Sequence, residues 1–147
     1  MATKKQGIWG WMFFDWASQP FHTLIITFIF APYFASQVAE SPERGQEIWG
    51  YAAAAASFTV AILAPILGAI ADQSGPRKPW VAMFSVLYAI GAFSLWYMTP
   101  VDPEPWLLLV GFVIGLIGVE FATVFTNSLL PELVKKKKSG ASQALAG

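Results

Sequence analysis

Two long runs without charge constrain this sequence more than any other feature. The run from Ile48 to Ala71 and the run from Trp80 to Thr99 contain no Asp, Glu, Lys or Arg. Each has about the 20 residues that an α-helix needs to cross the hydrocarbon core of a membrane. A short charged segment separates them. We therefore predict that the chain crosses a membrane, turns, and crosses back.

The composition also indicates a membrane protein. Hydrophobic residues make up 56% of the chain and charged residues only 12%, whereas soluble domains carry about 25% charged residues. The sequence has no cysteine, which excludes disulfides and thiolate metal sites. Its cations lie in short segments rather than on a basic face, which argues against nucleic-acid binding. We expect the lipid bilayer as a partner, no nucleic acid, and no cofactor.

The apolar pattern divides the chain into four membrane-spanning helices. The alternation of polar and apolar residues typical of β-barrel strands is not visible. Prolines inside or near the ends of the helices are expected to kink them, namely Pro20, Pro32 and Pro65. Gly111 and Gly115, four residues apart, predict a close helix contact. The predicted fold is an all-α membrane protein with one transmembrane domain over residues 1–147, helices at about 10–39, 48–71, 79–99 and 105–130, and the start of a fifth helix.

The positive charges predict the orientation of these helices. Only Arg44 falls on one side of the membrane. The other eight Lys and Arg residues fall on the opposite side, at Lys4 and Lys5, Arg77 and Lys78, and Lys135 to Lys138. By the positive-inside rule both termini are cytoplasmic, in a plasma or inner membrane. All seven tryptophans lie near the ends of the predicted helices, where indole rings favour the headgroup region.

The segment between the second and third helices combines residues with complementary roles. Gly68 would let the second helix approach a neighbour closely, and Gly75 permits a tight turn. Asp72 lies at a helix end, within reach of cations or of another helix's N-terminal dipole. Arg77 and Lys78 can bind lipid phosphates or carboxylates on a neighbouring helix. The alternative is an ordinary positively charged inside loop with a turn glycine.

This pattern, Gly-x-x-x-Asp-x-x-Gly-x-Arg-Lys over residues 68–78, resembles the signature loop of the major facilitator superfamily of secondary transporters. The resemblance implies that the loop helps to lock the outward-facing state and is released when the two halves of the transporter rock. Gln73 stands where the family usually has arginine, and Pro76 stands where it often has a cation. Part of the charge network of the family is therefore not carried over, although the turn is.

Other segments resemble the vacuole-effluxer branch of this superfamily, which includes autophagy-related permeases that export amino acids from vacuoles and many bacterial relatives. They are residues 10–18, 27–34, 77–80, 127–133 and 139–146. The resemblance implies a secondary transporter for a small, amino acid-like solute. Family members have two six-helix halves. We therefore expect the chain to be an N-terminal portion, completed by the missing helices or by a second copy.

Five polar residues of the first and fourth helices are candidates for a substrate or proton site, namely Asp15, Gln19, His22, Glu120 and Asn127. Ionisable side chains are costly in a membrane and usually face a cavity, and histidine titrates near physiological pH. Glu120 starts a polar stripe that continues at three- and four-residue spacing through Thr123, Thr126 and Asn127. The stripe predicts that Glu120 faces the interior of the helix bundle.

Structural alternatives to these roles stay open. Asp15 could cap the first helix, His22 could be a packing residue, and Glu120 could hold two helices together by a hydrogen bond. A single histidine without a carboxylate cluster predicts no metal site. No grouping of nucleophile, base and orienting residue is visible, so we predict no catalytic residues and no enzyme. The other function classes are a four-helix membrane scaffold or assembly subunit and a small dimeric protein similar to multidrug exporters.

Overall fold

The computed structural model describes residues 4–97 and 105–129, and every regular element in these ranges is helical. Four stretches are long and apolar enough to cross a membrane, and we call them the first to fourth spans: Gly7–Val38, Pro42–Ser74, Lys78–Tyr97 and Pro105–Ser128. They confirm the four predicted helices. The predicted connection at 100–104, the C-terminal lysines and the start of a fifth helix lie outside the described residues.

The first span is not a uniform α-helix. It consists of an α-helix Lys4–Pro20, a π-helix Phe21–Phe28, a short α-helix Phe30–Tyr33 and a second π-helix Phe34–Val38. Proline lacks a backbone N–H, and its ring clashes with the preceding turn. Accordingly, the first π-helix begins directly after Pro20. The predicted irregularity is therefore present in this span, whereas the helix of the second span continues unbroken through Pro65.

The second span begins earlier than predicted. The Ser41 hydroxyl accepts a hydrogen bond from the backbone N–H of Arg44 at 3.2 Å, and Pro42 occupies the first turn. A serine N-cap followed by proline favours a helix start whatever the polarity of the next residues. The predicted linker over residues 40–47 is therefore wrong. Arg44 and Glu47 instead form an ion pair of 2.8 Å within the first turns of the helix.

The earlier helix start also changes the environment of one tryptophan. Trp49 lies two turns inside the helix, is only 6% exposed, and stacks on Phe112 of the fourth span with ring centroids 4.0 Å apart. The prediction of an interfacial anchor is therefore wrong at Trp49. Its ring belongs to a cluster of buried residues that joins all four spans, namely Phe21, Phe34, Val38, Trp49, Ala56, Leu95, Phe112, Leu116 and Val119.

The third and fourth spans pack backbone to backbone. A Cβ atom built on Gly91 would overlap the backbone of Gly115, and one built on Gly118 would lie 2.5 Å from the backbone nitrogen of Tyr88. A Cβ on Gly111 would overlap the Ser94 side chain. The close contact predicted from the two spaced glycines is confirmed, because only glycine leaves room for helices at this separation.

Candidate functional site

The loop between the second and third spans is a three-residue turn closed by an ion pair. The helix of the second span ends at Ser74 and the next helix starts at Lys78, so the predicted loop over residues 72–78 is shorter than expected. Gly75 has a φ of 84°, which confirms the predicted turn glycine, since other residues rarely adopt this conformation. An Arg77 guanidinium nitrogen donates to an Asp72 carboxylate oxygen at 2.5 Å.

Helix electrostatics explain why Asp72 needs a cation beside it. Asp72 lies in the last turn of a helix, where the backbone dipole is negative and disfavours a carboxylate. The Arg77 side chain is 25% exposed, whereas the Asp72 side chain beside it is 64% exposed. The pair therefore offsets an unfavourable position, although its exposure to solvent keeps its contribution to about 0.2–1 kcal/mol.

Arg77 also reaches the fourth span. Its second terminal nitrogen donates to the backbone carbonyl of Ser128 at 2.7 Å. Ser128 is the last residue of that helix, where carbonyl groups have no partner within the helix and a cation is favourable. One guanidinium thus connects the ends of the second and fourth spans to the start of the third. Arg77 thus binds a carboxylate on the neighbouring second span, as the sequence suggested, and in addition a backbone carbonyl on the fourth.

Two further residues of the predicted loop motif make no such contact. Lys78 is an exposed residue at the start of the third span, and no ion pair among residues 7–97 and 105–129 includes it. A Cβ on Gly68 would meet no heavy atom of the described helices within 4 Å. The second span packs through a stripe on another face, at Val60, Ala64, Leu67 and Ala71. The close approach expected at Gly68 is therefore not made by these four spans.

Two tryptophan side chains form hydrogen bonds at the same end of the bundle as the loop. The Trp11 indole N–H donates to the Asn127 side-chain oxygen at 3.0 Å, and the Trp80 indole N–H donates to the Ser74 hydroxyl at 3.2 Å. Trp80 also stacks on Phe125, with ring centroids 5.6 Å apart. These contacts bring one end of all four spans together. The sequence did not predict the hydrogen bond between Trp11 and Asn127, although both residues lie in segments that carry the family resemblance.

A second polar centre lies deeper in the bundle. His22 Nδ1 of the first span is 4.0 Å from Glu120 Oε1 of the fourth, and the two side chains are 33% and 41% exposed. This distance is the outer limit of an ion pair and is too long for a direct hydrogen bond. The structure therefore brings together two of the five predicted candidates and places Glu120 against a neighbouring span.

The depth of this pair follows from its distance to the Trp11–Asn127 contact. His22 lies 11 residues beyond Trp11 (22 − 11), and Glu120 lies 7 residues from Asn127 (127 − 120). At about 1.5 Å per residue the pair lies about 10–16 Å further along the helices. The hydrocarbon core is about 30 Å thick, so the pair lies near the middle of the crossing.

The remaining candidates do not join this pair. Asp15 and Gln19 are exposed on the first span, and the backbone carbonyl of Asp15 accepts a hydrogen bond from the Ser18 hydroxyl at 2.9 Å. An α-helix would place Asp15 and His22, seven residues apart, on one face. In the structure Asp15 is exposed, whereas His22 is partly buried and lies beside Glu120.

The polar stripe of the fourth span is partly confirmed. Glu120 faces His22, and Asn127 bonds to Trp11. The hydroxyl oxygens of Thr123 and Thr126 are buried, and neither has a hydrogen-bond partner in the described part of the chain. Helical threonines usually bond to a carbonyl of the preceding turn, so these two hydroxyls are available to other groups. Among the described residues no three His, Asp or Glu side chains are grouped closely enough to hold a metal ion.

A comparison with known protein families identifies the family of this chain. Residues 2–147 match the family described as Major Facilitator Superfamily. The chain belongs to the major facilitator superfamily. Its four apolar spans and this membership make it an integral multi-pass membrane protein, with the lipid bilayer as its surroundings.

Two relatives are similar to the chain over part of their own length. The chain is 31% identical over 140 residues to the "Uncharacterized MFS-type transporter YxiO" of Bacillus subtilis (strain 168). The aligned region covers 92% of the chain and 32% of that protein. It is 39% identical over 77 residues to an "Uncharacterized protein" of Aquifex aeolicus (strain VF5), covering 51% of the chain and 18% of that protein. The chain thus spans about a third or less of each relative. No solved structure matches it.

Proposed function

We propose that this chain is part of a secondary transporter that moves a small solute across the membrane by alternating access. The observation that carries the proposal is the Arg77 guanidinium, which holds Asp72 at 2.5 Å and the Ser128 carbonyl at 2.7 Å. It joins the ends of three spans. The loop that carries it resembles the signature loop of the family, which helps to lock the outward-facing state. Membership in the superfamily favours a transporter over an enzyme, a scaffold or a small exporter-like dimer.

The loop controls conformation rather than the choice of solute. Arg77, Asp72 and Ser128 lie at one end of the spans, about 10–16 Å from the mid-membrane pair by helix rise. A contact at this distance from the cavity changes transport only if it differs between the states of the transporter. The lock is therefore expected to favour one state, and the helices that complete the bundle are its partners.

The finer features of the function come from the sequence resemblance. A solute similar to an amino acid and a place in the vacuole-effluxer branch rest on the motifs around Trp11, Arg77 and Asn127. We place the four spans in one transmembrane domain, with His22, Glu120, Asn127, Asp15 and Gln19 as candidates for the solute or proton site. Gly68, Asp72, Gly75, Arg77 and Lys78 form the signature loop.

Transport by a protein of full family length that contains this chain tests the proposal. The purified protein is reconstituted in liposomes loaded with a mixture of the twenty amino acids, and exchange with each radiolabelled amino acid outside is measured. Exchange above that of empty liposomes for at least one amino acid is expected. No exchange of any of the twenty would overturn the amino acid-like solute. A broader panel of labelled sugars, organic acids and organic cations then tests transport itself.

The orientation has its own test. The loop and the Trp11–Asn127 contact lie at one end of the bundle, and the cation distribution favours a cytoplasmic position for this end. In sealed cells, a membrane-impermeant thiol reagent should label Glu43→Cys but not Ser74→Cys, since these positions flank the second span. Labelling of Ser74→Cys in sealed cells would reverse the proposed orientation.

A further inference from the structure

A cavity at the end of the bundle opposite the signature loop plays no part in the proposed function. It lies where the first span ends and the second and fourth spans begin, and its volume is about 550 Å³. Small-molecule sites usually have volumes of roughly 300–1,000 Å³ and mostly apolar walls. The apolar wall of this cavity includes Phe34, Val38, Ile48 and Leu109. Phe34 and Val38 belong to the buried cluster that joins the spans, so the cavity reaches the core of the bundle.

Close packing fixes the shape of this end. A Cβ atom built on Gly45 would lie 2.5 Å from the Cα atom of Ala35, so the first and second spans touch backbone to backbone beside the cavity. The connection between them consists only of residues 39–41, and the Ser41 hydroxyl caps the helix that follows. Glu40, in the middle of this short connection, lines the cavity. Its backbone is therefore held in place from both sides.

Glu40 has the uncompensated charge of the cavity wall. No ion pair among residues 7–97 and 105–129 includes it. Arg44 also lines the cavity, but its guanidinium lies 2.8 Å from a carboxylate oxygen of Glu47, which already balances its charge. In the sequence this end of the bundle has five carboxylates and one cation, namely Glu40, Glu43, Glu47, Asp102, Glu104 and Arg44. Such a surplus of negative charge attracts cations and repels anions.

An exposed tryptophan lines the same cavity. Trp106 is the second residue of the fourth span and is 59% exposed. The face of an indole ring attracts a cation that lies within about 6 Å of the ring centre. An anchor in the headgroup region, as predicted for this tryptophan, requires only the membrane surface. The carboxylate of Glu40 on the same cavity adds a second partner for a cation, and the apolar wall remains for the rest of a ligand.

We propose that this cavity binds an amine that has a primary ammonium group and an apolar body. The ammonium lies between the Glu40 carboxylate and the Trp106 ring, and the apolar body lies against Phe34, Ile48 and Leu109. A neutral analogue loses the attraction of both polar partners. Two sources have this chemistry, a free amine in solution and the headgroup of an ethanolamine lipid. The site goes beyond the proposed function, because binding here does not require transport.

Hexylamine and hexanol test the proposal, because they share an apolar chain and differ in charge. The protein of full family length is labelled with fluorotryptophan, placed in phosphatidylcholine nanodiscs and followed by ¹⁹F NMR. Trp106→Phe identifies the Trp106 resonance by its absence. Hexylamine should shift this resonance to saturation, and hexanol should bind about two- to fivefold more weakly, the range of an exposed ion pair. If no saturable shift is seen, or if both compounds bind equally well, the proposed site is wrong.

Two glutamates separate a local site from general electrostatics. Glu40→Gln should weaken the binding of hexylamine about two- to fivefold. Glu43→Gln is the matched control, since it removes the same charge three residues further along, from an exposed residue that is not part of the cavity wall. Salt screens such a charge, so binding should change little. Equal losses for the two variants would overturn the site. The ¹⁹F resonances of the other tryptophans verify that both variants keep the parent fold.

The lipid of the nanodisc decides the source of the amine. In nanodiscs with phosphatidylethanolamine, a bound headgroup would shift the Trp106 resonance without hexylamine, and Glu40→Gln would reverse that shift. An unchanged affinity for hexylamine in these nanodiscs would instead assign the cavity to a free amine. Either result supports the ammonium site. Saturable binding without exchange of any solute would overturn the proposed transporter alone, and exchange without binding of hexylamine would overturn the cavity site alone.

Discussion

The signature loop and the mid-membrane pair both bring a basic side chain to an acidic one, yet their geometries differ. Arg77 contacts Asp72 at 2.5 Å and has a second acceptor in the Ser128 carbonyl. His22 and Glu120 are 4.0 Å apart. The loop lies on a glycine turn between regular helices, whereas His22 lies in a π-helix.

This difference concerns how firmly each contact joins the helices. Arginine remains charged at any physiological pH, and Arg77 has hydrogen-bond acceptors on two spans. The deeper pair is too far apart for a direct hydrogen bond. Changes to the loop should therefore weaken the contact between helix ends more than changes to the deeper pair weaken the contact between the first and fourth spans.

The largest effect is expected when the cation of the loop is removed. Arg77→Gln deletes the contacts to Asp72 and to the Ser128 carbonyl together, and should reduce the transport rate about tenfold to hundredfold, within the usual range of coupling energies. Arg44→Gln is the matched control, since it breaks an arginine–carboxylate pair of 2.8 Å at the other end of the second span. Solute exchange in proteoliposomes measures both. Equal losses for the two variants would contradict a special role of the loop.

A smaller effect is expected for the turn itself. Gly75 has a φ of 84° and a ψ of −90°, and an L-residue in such a sparsely populated backbone region costs about 1–3 kcal/mol, so Gly75→Ala should destabilise the folded chain by that amount. Gly50→Ala is the control, because Gly50 lies inside a helix where an added Cβ would meet no heavy atom of the described residues within 4 Å, and alanine favours helices. Unfolding in mixed detergent compares the two. A stable Gly75→Ala variant would mean that the turn does not require glycine.

Removing only the carboxylate should matter less than removing the arginine. Asp72→Asn keeps the Arg77 contact to Ser128 and loses an exposed ion pair worth about 0.2–1 kcal/mol, so transport should fall about two- to fivefold. Solute binding, measured by calorimetry, should be largely unchanged, because Asp72 lies in the last turn of its helix, away from the candidate solute residues. If binding is lost while the distribution of conformations stays the same, Asp72 belongs to the solute site instead.

The smallest effect is expected at the Trp11–Asn127 hydrogen bond. Trp11→Phe removes an indole donor at 3.0 Å while it keeps an aromatic ring, and should cost about 0.5–1.5 kcal/mol. A double-mutant cycle with Asn127→Ala isolates the interaction. Additive effects of the two substitutions would show that this contact does not hold the first and fourth spans together.

Several features were determined by the sequence alone, for local reasons. Apolar length fixes where a helix can cross a membrane, so all four spans could be predicted. Gly75 could be predicted as the turn because the two runs must reverse direction near it. Ser41 and Pro42 also carry local signals for the start of the second span, which a prediction from hydropathy does not use.

Only the tertiary structure decided which side chains meet. Arg77 and Ser128 are 51 residues apart, and His22 and Glu120 are 98 apart (120 − 22). Whether such residues touch depends on how each helix is rotated and how closely neighbouring helices pack, and the π-helix after Pro20 changes that rotation within the first span. Sequence periodicity describes one helix at a time. It could therefore nominate His22, Asp15 and Glu120 as equals, while packing joined only His22 and Glu120.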